Sequence, residues 1–262
     1  MYHFDWDTFW QYLWPPTAFE NPLIRTGVIV TIVVSVVAQA LGVVFGLFAA
    51  LAKMSKFAPL RVISDAYIWY FRGTPLLVQM MLLFFGLGVT HIYDFPTLTL
   101  GNISIGGAIQ AGLLALAINE GAYMAEIVRA GIEAIDPGQM EAAKSLGMTF
   151  SLAMRRIILP QAAKVIIPPL GNEFNNMMKT TSLLVVISAG ELFYAFEQIN
   201  ARVFKPFELF IVASFYYLAM TTVWSFIQSR MEASLGERKG VERQPGMVQR
   251  LFAGASPGKG AR

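Results

Sequence analysis

The sequence predicts an all-α membrane protein with five transmembrane helices, and three observations predict it. Only 14% of the 262 residues are charged and 55% are hydrophobic, against about 25% charged in an average soluble domain. The deficit is concentrated: Thr26–Ala52, Gly73–Tyr93, Phe95–Asn119 and Leu209–Ser229 contain no Asp, Glu, Lys or Arg. Each run is long enough for the roughly 20 apolar residues that cross a bilayer as a helix. Between the apolar segments lies one polar, basic stretch, Asp136–Pro160 (DPGQMEAAKSLGMTFSLAMRRIILP), with the signals of two short helices.

Several chemistries are excluded at the outset. There is no cysteine, hence no disulfide framework and no thiolate. The two histidines, His3 and His91, are far apart and form no metal-ligand pattern, so no metal site is expected. A net charge of +3 is no argument for nucleic acid, because basic residues in a membrane protein report orientation first. Residues 1–22 lack Lys and Arg and carry Asp5, Asp7 and Glu20, so no cleavable signal peptide is expected.

Taken in order, residues 1–22 form an N-terminal segment with Trp6, Trp10 and Trp14 four apart and Phe9 and Leu13 adjoining. That face suits a helix lying at the headgroup level; a loosely ordered tail is the alternative, and Pro15-Pro16 ends it either way. Residues 23–235 form the transmembrane domain. Span 1 is expected over Leu23–Leu51, with Gly42 and Gly46 as a GxxxG allowing close helix approach. Span 2 begins near Ser64 and is loosened by Gly73-Thr74-Pro75. Arg72 either snorkels to the interface or faces a polar cavity. Gly86–Asn102 reads as a loop, and span 3 runs from about Ile103 to Ile132. Its second half is polar, with Asn119, Tyr123 and Glu126 on one face at three- and four-residue spacing.

The stretch from 136 to 160 follows. Asp136 is a good N-cap, Pro137 suits the first helical position and Gln139 the capping-box partner. Met140, Ala143 and Leu146 repeat at helical spacing. Gly147 suits a left-handed helix end, and Thr149 or Ser151 can cap a second helix with Arg155 and Arg156 near its C-terminal end. Pro160 marks a break before span 4, Ala163–Ala189, which Pro168-Pro169 must break or kink near its start. Asn172, Glu173, Asn175, Asn176, Lys179, Thr180, Thr181 and Ser182 then fall within about three turns, a load no lipid-facing helix carries. A short amphipathic helix and loop lead to span 5, Phe207–Gln228. Residues 236–262 are expected to be a flexible cytoplasmic tail, disordered beyond about Gly240. Lys and Arg cluster in the span 1–2 loop, the span 3–4 loop and the tail. The positive-inside rule therefore places the N-terminus outside, and the hairpin and C-terminus in the cytoplasm.

At this point the residues resemble a known family. Glu141-Ala142-Ala143, Gly147 and Ile157-Ile158-Leu159-Pro160 resemble, in type and spacing, the EAA motif of bacterial ABC importer permeases. Phe71–Gln79 (FRGTPLLVQ), Ala122–Arg129 (AYMAEIVR), Asn172-Glu173-Phe174 and Lys179–Leu183 (KTTSL) resemble the polar amino acid uptake branch. Together the resemblance covers roughly Leu23 to Met231. Many relatives have an acid directly after the lysine where this chain has Thr180, which leaves the charge preference of the substrate open.

The resemblance implies a type I ABC importer fold in a bacterial inner membrane. It implies that Glu141, Ala142, Ala143, Gly147, Arg155, Arg156 and Pro160 belong to a coupling helix pair docking on a cytoplasmic ATPase. Two such ATPase subunits, a second permease copy or homologue, and an extracytoplasmic amino acid-binding protein are the implied partners, with lipid around them. The chain has no GxxxxGK[ST] loop, so it is expected to hydrolyse nothing and to bind no cofactor; ATP and Mg belong to the ATPase.

For an amino acid, both the ammonium and the carboxylate need partners in a low-dielectric site. Arg72 and Lys179 suit a carboxylate; Glu120, Glu126 and Glu173 suit an ammonium; Asn119, Tyr123, Asn172, Asn176, Thr180, Thr181 and Ser182 offer neutral hydrogen bonds. An intramembrane structural network, for example Glu173 with Lys179 or Glu126 with a basic neighbour, is the alternative for each. A gradient-driven secondary transporter using Glu126 or Glu173 is the rival class, against which five spans without an inverted repeat argue. A passive channel or assembly factor is another rival, and neither class explains the hairpin.

Overall fold

A computed structural model describes residues 2–101 and 103–234. The expected tail, 236–262, lies outside them. Two short helices open the chain, α1 (Trp6–Leu13) and α2 (Pro15–Glu20). Asp5 caps α1 by accepting the Thr8 N–H at 3.0 Å. Pro15, rather than ending structure, begins α2, where its missing N–H costs nothing. Phe9 is buried against the start of the last helix, while Trp6, Trp10 and Trp14 are exposed along one face. The Tyr2 hydroxyl donates to Glu208, which pushes the tyrosine up to about 12.

Helix α3 (Pro22–Lys53) is 32 residues long, about 48 Å at 1.5 Å per residue. It is followed by α4 (Ala58–Gly73) and α5 (Leu76–Val89), bent from each other by 106°. Next come α6 (Gly107–Glu133), α7 (Pro137–Ser145), α8 (Phe150–Ile187), α9 (Leu192–Val203) and α10 (Pro206–Ser234). Three helices, α3, α6 and α10, are long and apolar enough to span a bilayer alone. The bent pairs α4–α5 and α8–α9 bring the count to five.

Helices α3 and α6 form the central contact, and the predicted GxxxG is the reason. A Cβ at Gly42 would lie 2.6 Å from Glu120 Cγ, and one at Gly46 would lie 2.3 Å from Met124 Cβ. Without side chains at these two positions, the backbones approach closely enough for dispersion contacts to hold the pair.

The structure corrects four expectations. First, span 3 does not begin at Ile103. Leu98–Leu100 and Ile103–Ile105 pair antiparallel, with Thr99 opposite Ser104. Gly101, at φ +61°, begins the turn, and α6 starts only at Gly107. Hydropathy merged Ile103–Ile105 into span 3, whereas the alternating residues around Gly-Asn are a hairpin signal. Second, Pro160 breaks nothing, and α8 runs from the basic hairpin straight into span 4. A wide turn over Met154–Ile158 carries the Leu159 N–H to Met154 O. This shifts the hydrogen-bond ladder just before the proline, and Arg155 and Arg156 sit in that turn rather than at a helix end.

Third, helix α8 also passes unbroken through Pro168 and Pro169. Two carbonyls of this stretch accept side-chain bonds from α10: Pro168 O from Gln228 Nε2 at 3.3 Å and Gly171 O from Trp224 Nε1 at 2.8 Å. Fourth, Gln139 does not complete a capping box. Its side-chain oxygen accepts from Gln161 Nε2 at 3.2 Å, and Asp136 alone caps α7 by accepting the Gly138 N–H.

Candidate functional site

The break in span 2 follows from one missing donor. Pro75 has no N–H, so the carbonyl of Phe71, four residues earlier, loses its helical partner. Two buried amides replace it: Gln79 Nε2 donates to Phe71 O at 3.0 Å, and Asn119 Nδ2 to the same oxygen at 2.9 Å. Gln79 also donates to Thr74 O and Thr74 Oγ1, and its own Oε1 accepts from Asn119 at 2.9 Å. The bend is therefore a satisfied feature of the fold, clamped from span 3.

Beside this clamp lies a cavity of about 370 Å³. Helix α6 contributes Asn119, Glu120 and Tyr123; α8 contributes Glu173, Asn176 and Thr180; Leu76, Leu116 and Met177 form apolar wall. Glu173, Asn176, Met177 and Thr180 stand at i, i+3, i+4 and i+7, so a regular helix puts them on one face. Two carboxylates thus share a cavity with amides and hydroxyls, and no lysine or arginine lines it among the described residues. Such a set accepts hydrogen bonds from a cation and balances its charge.

Five of the eleven residues expected along a polar path meet here: Asn119, Tyr123, Glu173, Asn176 and Thr180. Arg72 stands at its edge, its guanidinium 5.3 Å from the Tyr123 ring centroid. Asn172 lies on another face of α8, accepting from Gln228 of α10 at 3.3 Å. Lys179 and Ser182 line a second, separate cavity with Phe193, Phe210 and Tyr217. Thr181 is fully buried and donates to Met178 O. Glu126 does not join Asn119 and Tyr123. It pairs with Lys53 at 2.9 Å and Arg129 at 2.7 Å; Lys53 also reaches Asp65 and Arg129 reaches Glu133. That network ties the ends of α3 and α6 to the middle of α4.

Two residues of the site carried no role from the pattern: Gln79, and Gln39 on α3, whose Nε2 donates to Glu120 Oε1 at 2.9 Å. A signal existed for Gln39. Thr31, Ser35 and Gln39 recur every four residues in a charge-free run, and all three are buried.

At the other end of α6 stands the hairpin. Gly147 adopts φ +77°, the Met148 N–H returns to Ala143 O, and Thr149 caps α8 by accepting the Leu152 N–H at 3.3 Å. Of the two small residues expected on its surface, Ala142 is exposed but Ala143 is buried within the chain. What the hairpin presents instead is apolar: Leu146 is 82% exposed, with Phe150 and Leu152 also exposed. Glu141 is exposed beside them.

Comparison with known proteins agrees on the family. Residues 42–236 match the model of the binding-protein-dependent transport system inner membrane component. The arginine transport system permease protein ArgU of Corynebacterium glutamicum is 40% identical over 225 residues, 84% of this chain and 68% of that protein. The L-cystine transport system permease protein TcyB of Bacillus subtilis is 36% identical over 231 residues, 88% of this chain and 91% of that protein. The solved structure of an amino acid ABC transporter with histidines superposes with TM-score 0.74 at 42% identity, covering 84% of this chain and 97% of that one. The inward-facing MetNI methionine transporter, at 17% identity and TM-score 0.66, covering 82% of this chain and 97% of that one, shares the fold.

Proposed function

This chain belongs to the family of binding-protein-dependent transport system inner membrane components, and we propose that it is the permease subunit that carries a polar amino acid inward. As a multi-pass inner-membrane ABC permease it has the fold of its relatives. The amino acid itself comes from the cavity chemistry and from relatives named for arginine, glutamine and L-cystine.

The observation that carries the reading is the convergence of Glu120, Glu173, Asn176 and Thr180 in one 370 Å³ cavity between spans 3 and 4. The carboxylates receive the ammonium group. Arg72, at the edge, receives the carboxylate as the cavity opens. Two cytoplasmic ATPase subunits bind the hairpins of two permease chains, this one and a second copy or a homologue, and an extracytoplasmic binding protein delivers the amino acid. ATP binding shifts the pair between outward- and inward-facing states. In this reading the Lys53–Glu126–Arg129 end and the hairpin face the cytoplasm, and α1 with the β-hairpin faces outside, a placement that the distribution of Lys and Arg supports.

The test is ATP hydrolysis by the chain co-purified with its ATPase in nanodiscs, with Glu141 intact or changed to Arg. Stimulation by liganded binding protein, abolished by Glu141→Arg, is the expected result. If no ATPase co-purifies and Glu141→Arg changes nothing, the hairpin is a plain loop and a gradient-driven transporter takes its place.

A further inference from the structure

Glu120 is 94% buried by its 6% exposure, and it touches the first span at two points one turn apart. Its stem lies across Gly42, where a Cβ would fall 2.6 Å from Glu120 Cγ and 2.8 Å from Glu120 Cβ. Its head accepts from Gln39 Nε2 at 2.9 Å. Gln39 is itself only 5% exposed and does not line the cavity. The arrangement is an unusual use of an amide. Gln39 Oε1 is buried without a hydrogen-bond partner among the described residues, an arrangement that folding alone disfavours. The amide thus holds its N–H on Glu120 Oε1 while its own oxygen stays unpaired.

We propose that Gln39 is a positioning residue of the substrate cavity: by holding one oxygen of Glu120, it aims the other at the ammonium group of the transported amino acid. The inference rests on the transport reading above. Gly42 supports the same geometry from below, because any side chain there displaces the glutamate stem. The other polar groups near Glu120 do not substitute for the amide. The Tyr67 hydroxyl of α4 is committed to Ile118 O at 2.6 Å. Glu173 of α8 is a like charge across the cavity, and Tyr123 carries Arg72 on its ring. A carboxylate whose stem is wedged on glycine and whose head is tied at one oxygen has little freedom left, which is how a binding group is preorganised.

The test is equilibrium binding of radiolabelled arginine, glutamine and cystine to the permease–ATPase complex in nanodiscs, with Gln39→Met, Gln39→His and Glu120→Gln compared. Methionine keeps length and apolar bulk but has no donor; histidine restores a ring N–H. For whichever amino acid the unaltered complex binds, Gln39→Met is expected to weaken binding about tenfold, the equivalent of one hydrogen bond to a charged group. Its elution volume and melting temperature are expected to match the unaltered complex, and Gln39→His to recover most of the loss. Unchanged affinity in Gln39→Met, or no recovery in Gln39→His, overturns the positioning role while leaving the cavity intact, provided Glu120→Gln still loses binding. Full binding by Glu120→Gln, or no binding of any of the three by the unaltered complex, overturns the cavity reading instead.

Discussion

Removing the clamp on the broken second span tests whether the bend is built or merely tolerated. Asn119→Leu deletes two 2.9 Å bonds, to Phe71 O and to Gln79 Oε1. Phe71 O keeps Gln79 Nε2 at 3.0 Å, but Gln79 Oε1 loses its partner. One buried acceptor left unpaired costs about 1–3 kcal/mol, so the expected loss is on the order of 2 kcal/mol. Gln79→Leu removes more, because Thr74 O and one Asn119 N–H are left unpaired together; about 3 kcal/mol is expected. The two side chains share a bond, so the double variant is expected to cost about 1–2 kcal/mol less than the sum. Denaturant unfolding of the purified permease, followed by tryptophan fluorescence, measures all four corners of the cycle. Additivity within about 0.5 kcal/mol refutes the reasoning, because it means the amides do not act as one unit.

Three other perturbations separate the parts of the molecule. Glu173→Gln is expected to lower uptake roughly ten- to hundredfold, the loss of one charge-assisted contact, whereas Glu126→Gln is expected to leave initial uptake close to normal, because Glu126 is committed to Lys53 and Arg129. Equal loss in both places Glu126 on the path after all. Leu146→Asp puts a charge on the most exposed apolar residue of the hairpin and is expected to abolish co-purification of the ATPase without altering the permease's melting; retained co-purification sinks the docking surface. Gly46→Ala is expected to prevent stable accumulation, since its Cβ would meet Met124 Cβ at 2.3 Å and the Gly121 carbonyl at 2.9 Å. By contrast, Gly73→Ala, with nothing within 4 Å of the added carbon, is expected to accumulate normally. Quantitative blotting of membranes distinguishes the two.

Four of the five spans were legible because charge exclusion is a one-dimensional property: a run of twenty-odd residues without Lys, Arg, Asp or Glu needs no partner to be recognised. The Gly73-Thr74-Pro75 break and the left-handed Gly147 were legible for a similar reason, since each is decided by its own backbone chemistry. Pro160 and Pro168-Pro169 carried the same local signal and produced no break. At Pro160 a wide turn shifts the ladder. Beyond Pro168, Gln228 and Trp224 reach across from α10. Neither neighbour is near in sequence. A local rule identifies where the backbone loses a donor, but it does not decide whether the helix ends there.

The site follows the same division. The sequence showed a dense polar load between Asn172 and Ser182 but not which of those residues share a face, and helical spacing placed Glu126 with Asn119 and Tyr123. Three- and four-residue steps preserve a face only over the turns where that face has one neighbour. From Asn119 to Tyr123 the neighbour is the cavity; by Glu126 it is the end of α3, where Lys53 stands. The change is a matter of height along the bundle, which spacing does not record. Gln39 shows the converse. It is the sole amide in the charge-free run of span 1, and its significance comes from Glu120, 81 residues away. In a membrane helix a polar side chain without a local partner must be answered by another segment. An isolated glutamine there therefore points to a buried polar partner on another helix even when it does not say which one. Here Thr31, Ser35 and Gln39 lie buried along α3, with Thr31 answered by Glu191 and Leu192 and Gln39 by Glu120. The first span lines none of the cavity and still holds one of its carboxylates through Gln39.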